Sequence, residues 1–377
     1  MVSVILAGGG TAGHTSPLIA TAQAIAAAEP DAQITCVGTA RGLETRVVPE
    51  AGLNLELVPA VPLPRKINAD LFKVPFRLAG AVRVAKKILR DHGADVVCGF
   101  GGYASLPAYL AARALKVPVV IHEQNALPGL ANKIASRFAV AVLTSFPSTE
   151  LPGARFEGLP VGQSITDLAE TGRASHAAGA RQEFGLNPDL PVLLVSGGSQ
   201  GARSLNDAAV DAADRLLAAG IQVLHVWGPK NFHDGLTERD DPATGARYVP
   251  VRYVDAMERA YAASDLMLAR SGAGTVVEVA TLGLPAIMVP LPIGNGEQAR
   301  NAKPLVDVSA AICIDNSELT ADRLVREVQA LFAAPGKLAA MSQAAQQLMR
   351  PGAARRVADI VLAAARKTTA RKAGGER

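Results

Sequence analysis

Aromatic residues are scarce in this sequence of 377 residues and make up only 4% of it. Recognition of nucleic acids by stacking needs aromatic side chains interleaved with basic ones, so we expect no nucleic-acid partner. No apolar run reaches the roughly 18 to 20 residues that a membrane-spanning helix needs. Gly8 interrupts the N-terminal apolar run, which no basic segment precedes, so we also expect no secretory signal.

Cysteine is rare as well. Cys36, Cys98 and Cys313 lie in apolar, strand-like runs without metal-ligand spacing, which predicts buried, reduced thiols. The hydrophobic content of 49% is enough for two domains with separate cores. A net charge of +4 weakly favours anionic partners such as nucleotides or phospholipids.

Short apolar runs alternate with helical patterns through almost the whole chain, which is typical of α/β domains with parallel sheets. The turn-rich residues 145–162 interrupt the alternation and indicate a domain boundary. Helices are predicted near the end of the chain at residues 321–333, 336–349 and 353–367. The predicted strands are residues 2–7, 33–38, 95–100, 117–123 and 140–144 before the boundary, and 191–196, 222–228, 248–254, 266–269, 285–290 and 310–314 after it.

Two glycine-rich turns occupy matching places in the two halves. The first reads Gly8-Gly9-Gly10-Thr11-Ala12-Gly13-His14, and the second reads Ser196-Gly197-Gly198-Ser199-Gln200-Gly201-Ala202. Each joins a predicted strand to a predicted helix, so free backbone N–H groups and the helix dipole favour an anion there. Together they predict two facing domains that bind a phosphorylated ligand.

The first turn also fits the glycine spacing of dinucleotide-binding domains. Such domains need an acidic residue at the end of the second strand, about 20 residues on, to hold the ribose. Here that strand ends Val37-Gly38-Thr39-Ala40-Arg41, without one. A dinucleotide enzyme, with Arg41 on a 2′-phosphate, is therefore the weaker alternative.

Polar residues next to the first turn and at two strand ends are candidate site residues. His14 follows the turn directly, where the helix dipole favours a neutral imidazole that can act as a general base, although it could also merely cap a loop. Two clusters, Gly99-Phe100-Gly101-Gly102-Tyr103 and His122-Glu123-Gln124-Asn125, end parallel strands, where open α/β sheets bind ligands. Turn formation and helix capping are the alternative explanation.

The second half contains a further strand-to-helix junction, Arg270-Ser271-Gly272-Ala273-Gly274-Thr275-Val276-Val277-Glu278. Glu278 falls in the second turn of the predicted helix, where a carboxylate can accept both hydroxyls of a ribose. A surface glutamate that complements the dipole is an equally simple interpretation. The loop 290–298 that follows offers amide and carboxylate groups for sugar hydroxyls.

Residues 66–90 interleave apolar and basic side chains, among them Phe72, Phe76 and Arg77. Such a segment can lie on an anionic membrane surface. A helix that turns its apolar side to the core and its basic side to water fits the pattern at least as well.

These motifs, in this order and over nearly the whole chain, resemble the MurG family of UDP-N-acetylglucosamine transferases, which convert lipid I to lipid II in bacterial peptidoglycan synthesis. The resemblance implies the GT-B architecture, in which two Rossmann-like doubly wound domains face each other across a cleft. Residues 1–160 with the helix 350–367 would form the acceptor and membrane-side domain, residues 161–349 the donor domain, and residues 368–377 a basic tail.

The resemblance also implies a role for single positions. His14 would be the general base, with Glu123 as an alternative or as its partner, and Tyr103 with Phe72, Phe76 and Arg77 would lie on the acceptor and membrane side. Thr11, Ala12, Gly13 and Asn125 would face the acceptor diphosphate. The positions implied for the donor are Gly198, Ser199, Gln200 and Gly201 at the diphosphate, Val254, Ala273, Gly274, Thr275 and Glu278 at the uridine, and Gln298, with Glu297, at the sugar.

The chain departs from the family pattern at one place. Leu159-Pro160-Val161-Gly162 stands where the family usually has Asn-Pro-Val-Arg, and the next arginine is Arg173. No Asp-x-Asp sequence occurs, so we predict chemistry without a metal or other cofactor. The implied partners are UDP-N-acetylglucosamine, lipid I, an anionic membrane and other cell-wall synthesis proteins, at the cytoplasmic face of the plasma membrane. A UDP-sugar epimerase of the same architecture and a non-catalytic nucleotide-sugar binding protein are the alternatives.

Overall fold

A computed structural model describes residues 1–61, 73–293, 295–348 and 350–374. The chain divides into two compact units: Met1–Gly162 with Gly352–Arg377 form unit 1, and Gln163–Pro351 form unit 2. The sequence-based boundaries at 160 and 350 fall within a few residues of these divisions.

Unit 1 is built on a seven-stranded sheet in the order β3-β2-β1-β4-β5-β6-β7, and all its strand pairs are parallel. Every residue of β1 is buried, as expected for a central strand covered on both faces. The strand order reverses between β1 and β4, so the loops after these two strands diverge and leave room for a ligand. The strands are β1 Ser3–Ala7, β2 Gln33–Gly38, β3 Asn54–Leu57, β4 Val96–Gly99, β5 Val119–Glu123, β6 Ala141–Thr144 and β7 Ala154–Phe156.

The helices of unit 1 cover this sheet. Buried apolar side chains form one cluster on each face of the sheet. Alternate residues of β1 point to opposite faces, because Val4 and Leu6 lie in one cluster with Leu18, and Ile5 and Ala7 lie in the other. The helices are α1 Ala12–Ala28, α2 Glu44–Glu50, α3 Val74–Asp91, α4 Ser105–Ala114, α5 Leu130–Ala135 and, at the end of the chain, α14 Ala353–Gly374.

The C-terminal helix α14 is longer than predicted. The sequence places its end at residue 367 and a basic tail at 368–377, which is wrong for the described part, because α14 continues to Gly374. Lys372 Nζ lies 2.6 Å from Asp95 Oδ1, and the Arg366 guanidinium pairs with Glu29. These ion pairs with other parts of unit 1 explain why the basic residues extend the helix.

Unit 2 repeats the pattern of unit 1. Its sheet has the order β10-β11-β9-β8-β12-β13-β14, and only the short β10 is antiparallel. The order reverses between β8 and β12, so the switch point lies beside the second glycine turn. The elements are α6 Gln163–Thr171, α7 Arg173–Glu183, β8 Val192–Ser196, α8 Arg203–Ala218, β9 Gln222–Val226, β10 Arg239–Asp240, β11 Arg247–Val251, α9 Met257–Ala263, β12 Leu266–Ala269, α10 Ala273–Thr281, β13 Ala286–Met288, α11 Glu297–Asp307, β14 Ala311–Cys313, α12 Ala321–Ala333 and α13 Lys337–Leu348.

The eleven predicted strands all occur, with ends shifted by up to three residues, but β3, β7 and β10 were not predicted. β7 lies inside the turn-rich boundary, where its three residues pair with β6 and form the edge of the sheet. The predicted burial of the cysteines holds for Cys36 and Cys98 and is wrong for Cys313, which is exposed at the end of the edge strand β14.

The basic segment forms helix α3 where it is described. Its buried residues Val74, Ala81, Ala85, Ile88 and Leu89 make one apolar stripe on the core, which supports the core-facing interpretation. Phe76 does not belong to the stripe, because 81% of its surface is exposed. Phe72 lies outside the described residues. No described helix is long and apolar enough to cross a membrane.

Candidate functional site

The first glycine turn of unit 1 ends in the N-terminus of α1. Thr11 is the N-cap and has extended backbone, so the N–H groups of Ala12 and Gly13 point out of the first turn without helical acceptors. Thr11 and Gly13 are exposed and Ala12 is half-buried. These predicted binding residues therefore present backbone donors to solvent, as an anion site requires.

The turn after β4 packs closely on this first turn. Gly102 has a φ of 79°, and a Cβ there would overlap the carbonyl oxygen of Gly9. At Gly101 a Cβ would lie 3.2 Å from Cε1 of His14. Glycine at both positions thus allows two strand-end turns and the histidine ring to meet at the switch point of the sheet.

A buried carboxylate that the sequence did not indicate holds the first turn from within. Glu44, the first residue of α2, is fully buried, and its Oε2 accepts a hydrogen bond of 2.7 Å from the N–H of Gly10. Its Oε1 accepts bonds of 2.8 Å and 2.9 Å from the backbone N–H and hydroxyl of Thr39. Glu44 supplies the acidic group that the dinucleotide pattern expects near β2, but uses it to bind the protein's own backbone.

His14 lies in the first turn of α1 and is half-buried. Its Nδ1 is 2.7 Å from the carbonyl oxygen of Phe100 and 3.0 Å from Oε1 of Gln124. A carbonyl oxygen can only accept, so Nδ1 carries the proton of the neutral ring. Nε2 then has a free lone pair, and no described residue forms a hydrogen bond with it. An imidazole nitrogen in this state is ready to accept a proton.

Glu123 and Asn125 lie at the end of β5, but the Glu123 carboxylate is already engaged. It is buried, and Oε1 accepts a hydrogen bond of 2.9 Å from the N–H of Asn125. Oε2 accepts bonds of 3.0 Å from the N–H of Gly129 and 2.8 Å from Nδ2 of Asn132. These bonds shape the loop that carries Asn125, so the geometry favours His14 over Glu123 as the proton acceptor.

The second glycine turn, in unit 2, has the same construction. Gly198 has a φ of 79°, and its carbonyl oxygen accepts a 2.9 Å hydrogen bond from the N–H of Gly201, which closes the turn before α8. Gly198 and Gln200 are exposed, and Ser199 is half-buried. The predicted diphosphate loop therefore also exposes its backbone donors at a helix N-terminus.

The loop after β9 packs against this second turn and forms hydrogen bonds with it. Asn231 Nδ2 donates a 3.2 Å hydrogen bond to the carbonyl oxygen of Gln200, and Lys230 Nζ lies 2.6 Å from Gln200 Oε1. A Cβ at Gly201 would overlap the carbonyl oxygen of Trp227. The ammonium group of Lys230 thus lies at the second turn, and this position was not predicted from the sequence.

The junction after β12 places Ala273, Gly274 and Thr275 in the first turn of α10, with Gly272 as the N-cap. Glu278 is half-buried one turn further on, and its Oε2 accepts a 2.7 Å bond from the Tyr261 hydroxyl. Burial raises the pKa of Glu278, and the Tyr261 bond opposes this. The other oxygen, Oε1, faces Gly274, where a Cβ would lie 3.9 Å from it.

Of the predicted donor contacts that remain, Val254 lies in a loop, whereas Glu297 and Gln298 lie in the first turn of α11. Val254 is buried just beyond the end of β11, not inside a strand as predicted. Gln298, half-buried in the first turn of α11, accepts a 2.9 Å bond through Oε1 from the N–H of Leu291.

In unit 1, Tyr103 is 52% exposed near the first turn, whereas Phe76 and Arg77 are exposed on α3.

Comparison with known families agrees with this two-unit arrangement. Residues 4–144 match the glycosyltransferase family 28 N-terminal domain, and residues 192–357 match the glycosyltransferase family 28 C-terminal domain. The first match spans the strands from β1 to β6 with the first glycine turn, and the second spans all the strands of unit 2 with the second glycine turn. The predicted fold class, two Rossmann-like doubly wound parallel-sheet domains of the GT-B class, is confirmed.

Curated relatives match the chain over nearly its full length. A Cutibacterium acnes protein is 60% identical over 97% of this chain and 98% of its own length. A Nocardioides protein is 54% identical over 95% of this chain and 97% of its own length. Both are named UDP-N-acetylglucosamine–N-acetylmuramyl-(pentapeptide) pyrophosphoryl-undecaprenol N-acetylglucosamine transferase.

Among solved structures, the crystal structure of Acinetobacter baumannii MurG is similar with a TM-score of 0.73 and 29% identity. The similarity covers 96% of this chain and 99% of that one. Together with the two domain matches and the curated relatives, it shows that the chain belongs to glycosyltransferase family 28 and, within it, to the MurG family of N-acetylglucosamine transferases.

Proposed function

We propose that this chain transfers N-acetylglucosamine from UDP-N-acetylglucosamine to the C4 hydroxyl of the N-acetylmuramyl sugar of lipid I, giving lipid II for peptidoglycan. The names of the relatives supply the substrates. The observation that carries the chemistry is the His14 ring, which has its Nδ1 fixed and its Nε2 free beside a turn of exposed backbone donors. Such a turn suits the acceptor diphosphate.

The reaction is an inverting displacement at the anomeric carbon of the donor sugar. His14 Nε2 removes the proton of the acceptor hydroxyl while its oxygen forms the new bond to that carbon. The bond from the carbon to the UDP oxygen breaks, and UDP leaves with the electron pair. Backbone N–H groups of the second turn stabilise the negative charge that develops on the diphosphate. Metal independence remains a prediction.

Release of UDP in the presence and absence of a lipid I analogue tests this proposal. We expect release that depends on the analogue and is unchanged by a chelator. An epimerase would instead convert UDP-N-acetylglucosamine to its epimer without an acceptor, and a sensor would bind it without releasing UDP. The relatives' names disfavour both alternatives.

We expect Glu278→Ala to weaken UDP binding by about tenfold or more, because a ribose hydroxyl bound to a carboxylate contributes roughly 1.5 to 3 kcal/mol. Titration calorimetry with UDP measures the change. Tyr261→Phe is the partner variant, since it removes only the hydroxyl that donates to Glu278. Equal UDP affinity in Glu278→Ala and the unchanged protein would reject the ribose role.

We also propose that Lys230 supplies positive charge for the donor diphosphate, given that Gly162 stands at the family's arginine position. Arg173, the next arginine along the chain, is engaged elsewhere: its guanidinium donates to the carbonyl oxygens of Leu282, Ser264 and Gly283. Lys230 lies at the second turn itself, where its ammonium group can move from Gln200 to a phosphate.

For Lys230→Met we expect affinity for UDP to fall about five- to tenfold, as one charged hydrogen bond is lost. Affinity for uridine, which has no phosphate, should not change. Lys303→Met is a matched control, because Lys303 pairs with Asp307 on α11. A loss that is equal for UDP and uridine would contradict a role at the diphosphate.

We propose that α3 contacts the membrane. An enzyme with a lipid substrate is expected to associate with a membrane surface. Phe76 is 81% exposed on this helix, and Arg77, Arg83, Lys87 and Arg90 are also exposed along it. An aromatic ring with basic neighbours suits an anionic lipid surface. The cytoplasmic face and cell-wall synthesis partners remain proposals that follow from the family.

We expect Phe76→Ser to reduce binding to phosphatidylglycerol vesicles at low salt by about tenfold or more, since burying a phenyl ring in lipid contributes about 1.5 to 3 kcal/mol. Vesicle sedimentation measures the bound fraction. Ile293→Ser, which changes a 69% exposed side chain in unit 2, is the control. Unchanged sedimentation of Phe76→Ser would remove α3 from the membrane surface.

A further inference from the structure

A chain of hydrogen bonds leads from His14 into the interior of unit 1. His14 Nδ1 is 3.0 Å from Gln124 Oε1. Gln124 Nε2 is 2.8 Å from the carbonyl oxygen of His122 and 3.1 Å from its Nδ1. Nε2 of His122 lies 2.8 Å from the carbonyl oxygen of Gly158. His122 and Gln124 are both buried, so water does not substitute for these contacts.

The chemistry of the groups fixes the direction of every bond. Because the Gly158 carbonyl oxygen can only accept, His122 carries its proton on Nε2 and keeps a lone pair on Nδ1. The Gln124 amide NH₂ then donates to that lone pair and to the His122 carbonyl oxygen. The amide oxygen is left to face His14, where it can only accept.

We propose that Gln124 and His122 are positioning residues that hold the His14 ring with its proton on Nδ1 and its lone pair on Nε2. The inference rests on the proposed role of His14 as general base. Neither side chain touches the reacting atoms in this account. They act by deciding which nitrogen of His14 is free to remove the acceptor proton.

Phe100 alone would hold the ring less firmly. A free histidine side chain favours the tautomer with the proton on Nε2, which would leave no base facing the substrate. If the Gln124 amide turned over, its NH₂ would donate to Nδ1 of His14 and favour that unproductive tautomer. His122 opposes this rotation of the amide, because the Gln124 oxygen would then face two acceptors, the Nδ1 lone pair and the carbonyl oxygen of His122.

The hydrogen bonds that link His122, Gln124 and His14 keep the same directions during the proton transfer. Burial lowers the pKa of His122 to about 4, so that ring stays neutral near neutral pH. When Nε2 of His14 takes the acceptor proton, the imidazolium still donates from Nδ1 to two neutral oxygens, those of Phe100 and Gln124. The proton therefore stays on Nε2 and passes to water after UDP has left.

Nitrogen NMR of the full chain labelled with ¹⁵N-histidine tests the inference, with the His14 signals assigned through His14→Gln. We expect a protonated Nδ1 and an unprotonated Nε2 for His14 in the unchanged protein. In Gln124→Met we expect a mixture of tautomers, with kcat reduced at least tenfold while KM for a lipid I analogue and UDP affinity stay within about twofold. Gln124→Glu loses the donor to His122 but keeps an accept-only oxygen facing His14, so it should keep the Nδ1-protonated form of His14.

Ser3→Ala is the matched control, since it removes one partly buried hydrogen bond, from Ser3 to the His92 carbonyl oxygen, at the opposite end of β1. It should change neither the tautomer nor kcat. A His14 ring protonated on Nε2 in the unchanged protein would overturn the inference, as would a Gln124→Met variant with unaltered tautomer and kcat. If Gln124→Met does not fold, the test rests on the His14 tautomer in Gln124→Glu and in the unchanged protein. A ring protonated on Nε2 in either protein would overturn the inference. The tautomer is measured without substrate, so it stands apart from any failure of the proposed transfer reaction.

Discussion

His14→Ala is expected to lower kcat for transfer to a lipid I analogue by about 10² to 10⁴, the range that a positioned general base contributes. The affinity for UDP should stay the same, because the donor-binding residues proposed above all belong to unit 2, whereas His14 belongs to unit 1. A loss in kcat without a loss in binding is the signature of a group that acts mainly in the transition state. Steady-state kinetics and calorimetry with UDP measure the two quantities.

His176→Ala provides the control for this experiment, because His176 is exposed on α7 and has no proposed role. It should retain the kcat of the unchanged protein. Turnover by His14→Ala within threefold of the unchanged protein would remove His14 from the mechanism. The Glu123 carboxylate would then have to act as the base, in spite of the hydrogen bonds that occupy both its oxygens.

Glu44→Ala is expected to destabilise unit 1 by about 2 kcal/mol or more, since the two Thr39 donors are buried and each costs roughly 1 to 3 kcal/mol when left without an acceptor. Three donors lose their partner: the N–H of Gly10 and the N–H and hydroxyl of Thr39. The first turn would lose its internal anchor, so transfer should fall together with stability. UDP affinity should be retained, because its proposed site belongs to the other unit.

Differential scanning calorimetry measures the loss, and Glu50→Ala is the control on the same helix. Glu50 is exposed and pairs with Arg46 only at the surface, so its removal should leave the unfolding temperature nearly unchanged. A destabilisation below about 1 kcal/mol in Glu44→Ala would mean that water replaces the carboxylate. The Glu44 carboxylate would then not be the anchor of the first turn.

Glu44 also shows where interpretation of the sequence reaches its limit. The first turn and the alternation of strands were visible in residue order, because glycine spacing and apolar periodicity are local. The missing acidic residue after β2 correctly disfavoured a dinucleotide enzyme. That Glu44 folds back onto Gly10 depends on the path of α2, and residues 34 positions apart meet only in the folded unit.

The end of β5 gives a second example. The sequence singled out Glu123 because it is a carboxylate beside a strand end. His122 and Gln124, two residues apart, join one hydrogen-bonded chain, whereas Glu123 bonds to the loop that follows. The alternation of side chains along a strand could have suggested this division. The partners Phe100 and Gly158 could not have been found without the fold.

Edge elements were the least predictable. β7 has three residues and becomes a strand only because β6 offers it an unpaired edge. The last turns of α14 are basic, and they remain helical in the described residues through ion pairs such as that of Lys372 with Asp95. Both depend on neighbours distant in sequence, so neither propensity nor periodicity indicates them.

The reaction proposed for this chain forms a bond between N-acetylglucosamine and the C4 hydroxyl of the acceptor sugar. Incubation of the full chain with UDP-N-acetylglucosamine and a lipid I analogue, followed by mass spectrometry and NMR of the product, tests it most directly. We expect one UDP released for each disaccharide formed, with a β1,4 linkage that shows inversion of the donor's α configuration. UDP release without this disaccharide, or conversion of the donor to an epimer in the absence of acceptor, would contradict the account.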